Sequence, residues 1–89
     1  MKNEFKMVGR LAEICPIETH SSDFSSRVIR LNNEFTNEII TFTVYNRNFH
    51  ELDKASVGDL VTLTFRIKGK YKNKKYFNSL ILLNLNKHE

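Results

Sequence analysis

A regular alternation of apolar and polar residues is the feature that most constrains how this chain folds. It runs through residues 60–70 and again through residues 38–45. Successive side chains of a β-strand point to opposite faces, so the pattern predicts strands with one face in a core and the other outside it. Apolar residues at helical spacing are nearly absent, which favours a mainly β fold. The residues predicted to face the core are Ile40, Phe42 and Val44 in one segment and Val61, Leu63, Phe65 and Ile67 in the other.

Polar and glycine-containing segments divide the chain into five predicted strands. Residues 18–26 are rich in serine and predict a loop, and residues 72–75 predict the loop of a hairpin. Gly9, inside the first strand, indicates a bulge or a sharp bend. The strands are predicted over residues 4–17, 27–31, 38–45, 60–70 and 76–85.

One helix is predicted, over residues 48–56, between the third and fourth strands. Asn48 and Glu51 have the spacing of a capping box, in which each side chain satisfies a backbone N–H of the first turn. Phe49 and Leu52 are three residues apart, so both would face the core.

The predicted order is three strands, a short helix and two strands. Five strands in so small a sheet favour closure, because closure removes exposed strand edges. A five-stranded barrel with a helix between strands three and four is the layout of the OB-fold, which binds oligonucleotides across strands two and three and through two loops. We therefore predict a mainly β chain with a single OB-fold domain over residues 1–89.

The charge of the chain is concentrated in its second half. The net charge is +4, yet residues 1–59 carry seven Lys/Arg against nine Asp/Glu. Residues 60–88 carry seven Lys/Arg and no acidic residue. Like charges this close repel one another, so the block indicates an anionic partner or a well-solvated surface. Six cations fall within ten residues, namely Arg66, Lys68, Lys70, Lys72, Lys74 and Lys75.

Aromatic residues are interleaved with these cations. Tyr71, Tyr76 and Phe77 flank the predicted hairpin loop, and Tyr45 lies on the outer face of the third predicted strand. Cations neutralise phosphates while rings stack on bases, and each stacked base contributes ~1–3 kcal/mol. The pattern is therefore typical of single-stranded nucleic-acid binding. The alternative for the same residues is a solvated lysine-rich loop with its rings in the core.

Side chains that could carry catalysis do not form a recognisable site. His20, His50 and His88 lack the spacing of metal ligands. Cys15 is the only cysteine, and the serines lack the glycine-flanked turn of a serine hydrolase. The sequence therefore predicts no enzyme, no metal and no cofactor. A metal-independent nuclease that uses histidine and lysine stays open as an alternative.

The sequence gives no indication of a membrane partner. Its longest apolar run, residues 80–83, is far shorter than the ~20 residues that a membrane helix needs. The first ten residues mix charged and apolar types and contain no apolar stretch typical of a secretory signal. A single cysteine fits a reducing compartment, so the predicted location is the cytoplasm.

Several short motifs resemble those of bacterial single-stranded DNA-binding proteins. They are Val8-Gly9-Arg10-Leu11, Pro16 with the nearby Glu18, an aromatic residue that ends the third strand, and Gly58-Asp59-Leu60-Val61. A closer resemblance is to a family of short bacterial OB-fold proteins related to them. It is carried by Val57-Gly58-Asp59, Val61-Thr62, Phe65, Ile67, Gly69, Asn73 and Tyr76-Phe77-Asn78, and it spans about residues 4–85.

The resemblance implies single-stranded DNA binding without sequence preference and without catalysis. It implies that Tyr45 and Phe35 supply aromatic surfaces, and that copies of the chain pair through the edges of the first strand as a dimer or tetramer. Both families tend to have a tryptophan where this chain has Lys72, and Tyr71 precedes that position.

We therefore predict a protein that binds single-stranded DNA in replication, recombination or repair. An RNA-binding protein of the cold-shock type and a protein-interaction module of a replication complex are the alternatives. The predicted phosphate contacts are Arg66, Lys68, Lys70, Lys72, Lys74 and Lys75, with Arg10, Arg27 and Arg30 as weaker candidates. The predicted stacking residues are Tyr45, Tyr71, Tyr76 and Phe35.

Overall fold

The structure, a computed structural model, describes residues 3–88 as six strands and one 3₁₀ helix. The strands are β1 (Phe5–Ile14), β2 (Glu18–Thr19), β3 (Ser25–Asn33), β4 (Glu38–Tyr45), β5 (Leu60–Lys72) and β6 (Lys75–Lys87). The helix spans Asn46–Lys54 and joins β4 to β5.

Five of these strands close into a barrel. β1 pairs with β5 through residues 5–10 and with β3 through residues 10–14, so it connects the two ends of the sheet. β4 and β6 are parallel neighbours aligned at Thr43 and Ile81, and the other neighbouring strands are antiparallel. The order around the barrel is β1, β5, β6, β4, β3 and back to β1. The prediction of a mainly β, closed five-stranded barrel is confirmed.

The order of elements along the chain differs from the prediction in one respect. Residues 18–26 were predicted to be a loop, but Glu18–Thr19 forms β2, which pairs with Ser25 and Ser26 at the start of β3. The helix therefore lies between the fourth and fifth strands of the chain and not between the third and fourth. Among residues 3–88, no helix is long and apolar enough to cross a membrane.

The helix begins at Asn46, and the predicted capping box is wrong. No side chain caps its N-terminus. Asn48 Nδ2 instead donates to the Leu82 carbonyl at 3.1 Å, and Glu51 Oε1 accepts the Leu85 N–H at 2.9 Å. Both side chains are used to attach the helix to β6, so neither is available to its own first turn.

The core contains the residues that the alternation places there, with one exception in β5. Phe42 and Val44 of β4 and Val61 and Leu63 of β5 are fully buried. Leu52 of the helix is buried, and Phe49 packs against the same cluster, as predicted. The alternation is correct up to Phe65, but Ile67, which was also predicted to face the core, is 50% exposed because β5 leaves the barrel beyond Phe65. The remaining buried apolar residues of this core are Leu11, Ile29, Leu31, Phe65, Leu82 and Leu85.

Gly9 allows β1 to contact two strands. It pairs with Val61 of β5, and a side chain at this position would clash with the Asn32 carbonyl oxygen of β3. The irregularity of β1 lies just beyond it, between Leu11 and Glu13. Gly9 is therefore required for close approach of two backbones, while the bulge itself follows two residues later.

The distal part of β5 and β6 leaves the barrel as a two-stranded hairpin. Beyond Phe65, β5 pairs only with β6, and residues 67–79 are exposed. The turn is shorter than predicted, because Lys72 and Lys75 still pair and only Asn73 and Lys74 connect them. Both connecting residues have positive φ, 52° and 62°, as type I′ hairpin turns require.

Candidate nucleic-acid interface

The register of the hairpin gives it two chemically different faces. Residues directly opposite on antiparallel strands have their side chains on the same face. One face, which we call the lysine face, is formed by Lys68, Lys70 and Lys72 of β5 with Ser79, Phe77 and Lys75 opposite them. The other, the aromatic face, is formed by Ile67, Gly69 and Tyr71 with Leu80, Asn78 and Tyr76 opposite them.

The lysine face continues onto the barrel and forms a groove there. Thr43 and Tyr45 are on the outer side of β4, which lies next to β6. Ile81, which is fully buried, is at the base of the groove where β4 and β6 align. The groove is lined by Thr43, Tyr45, Lys68, Lys70, Lys72, Phe77, Ser79 and Ile81.

Tyr45 and Lys68 are in direct contact at the wall of this groove. Lys68 Nζ donates to the Tyr45 hydroxyl at 3.2 Å and lies 5.6 Å from the centre of the ring. A cation over an aromatic face is an attractive arrangement, and it holds the ring and the charge together. An aromatic surface and a cation therefore lie side by side at the groove, and stacking of a base on Tyr45 stays a prediction.

The cations of the hairpin are not neutralised by the protein. Among the described residues, carboxylates pair with Arg10, Arg30, Lys54 and Lys87, and none lies within ion-pair distance of residues 66–75. Alternate residues of a strand are ~7 Å apart, so the charges form a closely spaced row. This row repels itself in the free protein and favours an anionic ligand.

Lys74 is held in an unfavourable backbone conformation. Its φ of 62° lies in the left-handed region, which disfavours residues with a side chain by about 1 kcal/mol. Glycine would avoid this at the second position of such a turn. The turn therefore retains a cation at a position where the backbone favours glycine.

Three of the predicted stacking residues lie away from the groove. Tyr71 and Tyr76 are opposite each other on the aromatic face, with ring centres 4.7 Å apart. They are 59% and 84% exposed. Phe35 is 89% exposed in the turn between β3 and β4. The structure does not bring these three rings together with Tyr45.

Three of the arginines are separate from the lysine face, and the fourth, Arg66, adjoins it, because it lies opposite Ile81. Arg10 pairs with Glu34, and Arg27 Nε donates to the Cys15 carbonyl at 2.9 Å. Arg30 Nη1 donates to Glu13 Oε1 at 2.5 Å, and this hydrogen bond to the carboxylate raises the pKa of Arg30. Arg66 borders a different hollow, near Asn3, Glu4, Ile67 and Leu83. Of the predicted cations, Lys68, Lys70 and Lys72 line the groove together with Tyr45.

Three residues of this region were not among the predicted contacts. Phe77 lies opposite Lys70 and lines the groove. Pairing of the strands on either side of the two-residue turn is enough to place it there. Phe24 and Arg47 line a second hollow that shares Tyr45 and Lys68 with the groove. Phe24 is the only Phe, Tyr or Trp in the polar segment 18–26, and this isolated ring was the one sequence feature that could have indicated a contact there.

The histidines are distributed over three separate places. His20 Nε2 contacts Ser26 Oγ at 2.8 Å, His50 is beside Glu51, and His88 contacts Thr62. Within residues 3–88, no three His, Cys, Asp or Glu side chains are grouped as metal ligands would be. What the groove offers chemically is cations and aromatic rings.

The fold is similar to that of two solved structures. The mitochondrial single-stranded DNA-binding protein Rim1 of S. cerevisiae aligns with a TM-score of 0.74 and 17% identity, over 94% of this chain and 92% of that chain. The dimeric N-terminal domain of PriB protein from Thermoanaerobacter tencongensis aligns with a TM-score of 0.60 and 18% identity, over 98% of this chain and 97% of that one. The predicted resemblance to OB-fold proteins of this group is confirmed.

A search of curated proteins gave no match to the sequence. A protein family described as a domain of unknown function, DUF3127, matches residues 6–85. This span is most of the 89 residues. The chain therefore belongs to the DUF3127 family.

Proposed function

We propose that the protein binds single-stranded DNA in the groove, without sequence preference and without catalysis. One observation carries this proposal, namely that unpaired lysines and two aromatic rings line the same groove. Lys68, Lys70 and Lys72 provide cations for successive phosphates, and Tyr45 and Phe77 provide surfaces for bases. Stacking on a ring tolerates any base, so this arrangement favours binding that is independent of sequence.

The choice of DNA over RNA rests on the fold. Rim1, whose fold is similar, is a single-stranded DNA-binding protein. The same lysines and rings would also hold RNA, because each of its bases has a π face as well. RNA binding and protein interaction are therefore the outcomes that a test must distinguish from DNA binding.

The first experiment compares three ligands and two variants. Fluorescence anisotropy at fixed salt measures the affinity for single-stranded DNA, duplex DNA and RNA of equal length. We expect the single-stranded DNA to bind most tightly. Tyr45→Leu should weaken that binding about tenfold, because one stacked base contributes ~1–3 kcal/mol.

The matched control for that variant is Tyr45→Phe. It keeps the ring and removes only the hydroxyl that Lys68 contacts, so it should bind nearly as tightly as the unchanged protein. Thermal melting of each variant checks that the barrel is folded. Equal affinity of Tyr45→Leu and the unchanged protein would exclude Tyr45 as a stacking surface, and preference for RNA would favour the alternative.

We also propose that copies associate through the free edge of β1. Residues 5–8 of β1 pair with β5 on one side only, since β1 approaches β3 from Gly9 and pairs with it from Arg10. A strand edge of this kind can pair with the same edge of a second copy. The dimeric state of the PriB domain, whose fold is similar, supports a dimer. Analytical ultracentrifugation at micromolar concentrations tests it, and a monomer at all concentrations would contradict it.

The cellular role proposed for such a protein is replication, recombination or repair in the cytoplasm. A groove of this kind coats exposed single strands, which arise in all three processes. Depletion of the protein in its host should then increase sensitivity to DNA damage. Unchanged sensitivity together with altered RNA stability would favour the cold-shock alternative.

A further inference from the structure

We propose that the hollow beside Phe24 is a second nucleotide-binding position, so that a bound strand crosses Tyr45 from the groove to Arg47. This inference rests on the proposed function and extends its binding site. The hollow is lined by Phe24, Tyr45, Asn46, Arg47 and Lys68. Because it shares Tyr45 and Lys68 with the groove, the two lie on either side of one aromatic wall.

Phe24 provides an accessible ring at this position. Its ring centre is 5.3 Å from that of Tyr45, and the two planes meet at 61°. Phe24 is 40% exposed, although an apolar ring on a polar segment would gain by full burial. A base entering the hollow would cover this exposed part of Phe24 and contact the edge of Tyr45.

Hydrogen bonds hold the segment that carries Phe24 in place before any ligand binds. The N–H groups of His20 and Ser21 both donate to the Phe24 carbonyl, at 2.9 and 3.1 Å. Asn46 Nδ2 donates to the Asp23 carbonyl at 3.2 Å, which connects the segment to the start of the helix. A ring positioned in this way loses little freedom on binding, so its contact contributes more to affinity.

A histidine supports Phe24 from the other side. The His20 ring stacks on Phe24 with centres 5.1 Å apart and planes at 29°, and its Nε2 contacts Ser26 Oγ. His20, Phe24 and Tyr45 thus form a continuous row of rings that ends at Lys68. The pairing of β2 with β3 positions these rings, because it folds residues 19–25 back toward β4.

The charges around the hollow suit a phosphate. Arg47 is exposed and, among residues 3–88, pairs with no carboxylate. Lys68 is on the shared wall. Asp23 precedes Phe24 in sequence but is not among the residues that line the hollow. Two cations beside accessible rings fit a nucleotide of the same strand that occupies the groove.

The test uses oligo-dT of increasing length with the variants Phe24→Leu and Arg47→Gln. Leucine keeps an apolar side chain and removes the stacking face. In the unchanged protein, affinity should rise when the oligomer becomes long enough to fill both positions. Each variant should lose about tenfold in affinity for the long oligomer and bind the shortest oligomer normally.

Two controls keep this result separate from the proposed function. Val57→Ala removes an exposed apolar side chain that lines neither the groove nor the hollow, and it should bind all lengths normally. Lys70→Ala with Lys72→Ala should weaken short and long oligomers alike. If Phe24→Leu binds every length normally while the lysine variant is weak, the second position does not exist. If Phe24→Leu weakens all lengths equally, Phe24 belongs to the groove itself and the inference is also wrong. Normal binding by the lysine variant would contradict the proposed function instead.

Discussion

The lysines of the hairpin should make DNA binding strongly dependent on salt. Four of them lie on the lysine face and Lys74 lies at its turn. For single strands, the logarithm of affinity falls with the logarithm of salt concentration by about 0.7 for each phosphate neutralised. Five contacts therefore predict a slope of about −3.5, which weakens binding about 130-fold between 50 and 200 mM salt. Removing Lys70 and Lys72 leaves three contacts and a slope of about −2.1, so that binding weakens only about 18-fold over the same salt range.

The measurement is a salt titration of oligo-dT anisotropy for the unchanged protein and two double variants. Lys70→Ala with Lys72→Ala removes two charges from the groove. Lys6→Ala with Lys87→Ala removes two charges from elsewhere, so both proteins have the same net charge. We expect the second variant to keep a slope near −3.5. Equal slopes for the two variants would mean that overall charge, and not the groove, binds the phosphates.

Three further predictions concern stability. Burial would raise the pKa of Glu51, but hydrogen bonds from Lys54 and the Leu85 N–H outweigh it and lower that pKa. The stabilisation is therefore complete above about pH 4.5 and is lost as the pH falls through the lowered pKa. Glu51→Gln should destabilise the fold by about 2 kcal/mol in urea at pH 7, with a smaller difference near pH 3. Lys74→Gly should stabilise the hairpin locally by about 1 kcal/mol, measured as slower hydrogen exchange of its amides, and reduce the salt slope by about 0.7; unchanged exchange would contradict a strained turn. Gly9→Ala should force β1 away from β3, destabilise the fold by about 1–3 kcal/mol and lower the thermal midpoint. An unchanged midpoint would show that the two backbones are not in close contact at Gly9.

The sequence predicts the barrel well because burial follows the alternation. Phe42, Val44, Val61 and Leu63 all face the core as their positions require. β2 has no such signal, since Glu18 and Thr19 are both exposed and pair only with serines of β3. A strand without an apolar face cannot be distinguished from a loop by its pattern. Its existence depends on the pairing with β3, which the sequence does not reveal.

The site is partly predictable for the same reason. The two-residue period places Lys68, Lys70 and Lys72 on one face and Tyr71 on the other, and the structure has this arrangement. The position of Phe24 beside Tyr45 is different, because these residues are far apart in sequence and meet only through the pairings of β2, β3 and β4. The two-residue period of a strand tells which residues of one hairpin share a face. Contacts between separate elements form only when the barrel closes, so the sequence pattern does not predict them.

β5 and β6 carry the core in one half and the proposed binding groove in the other. Up to Phe65 in β5, and from Leu82 onward in β6, their inward residues are part of the core. Beyond Ile81, where β6 still pairs with β4, the two strands pair only with each other and carry the unpaired lysines and the unfavourable turn. Repulsion within the lysine row and the positive φ of Lys74 therefore destabilise the hairpin locally. They do not lower the stability of the barrel. It follows that variants of the lysine face should change affinity without moving the unfolding midpoint, which makes them direct measures of binding.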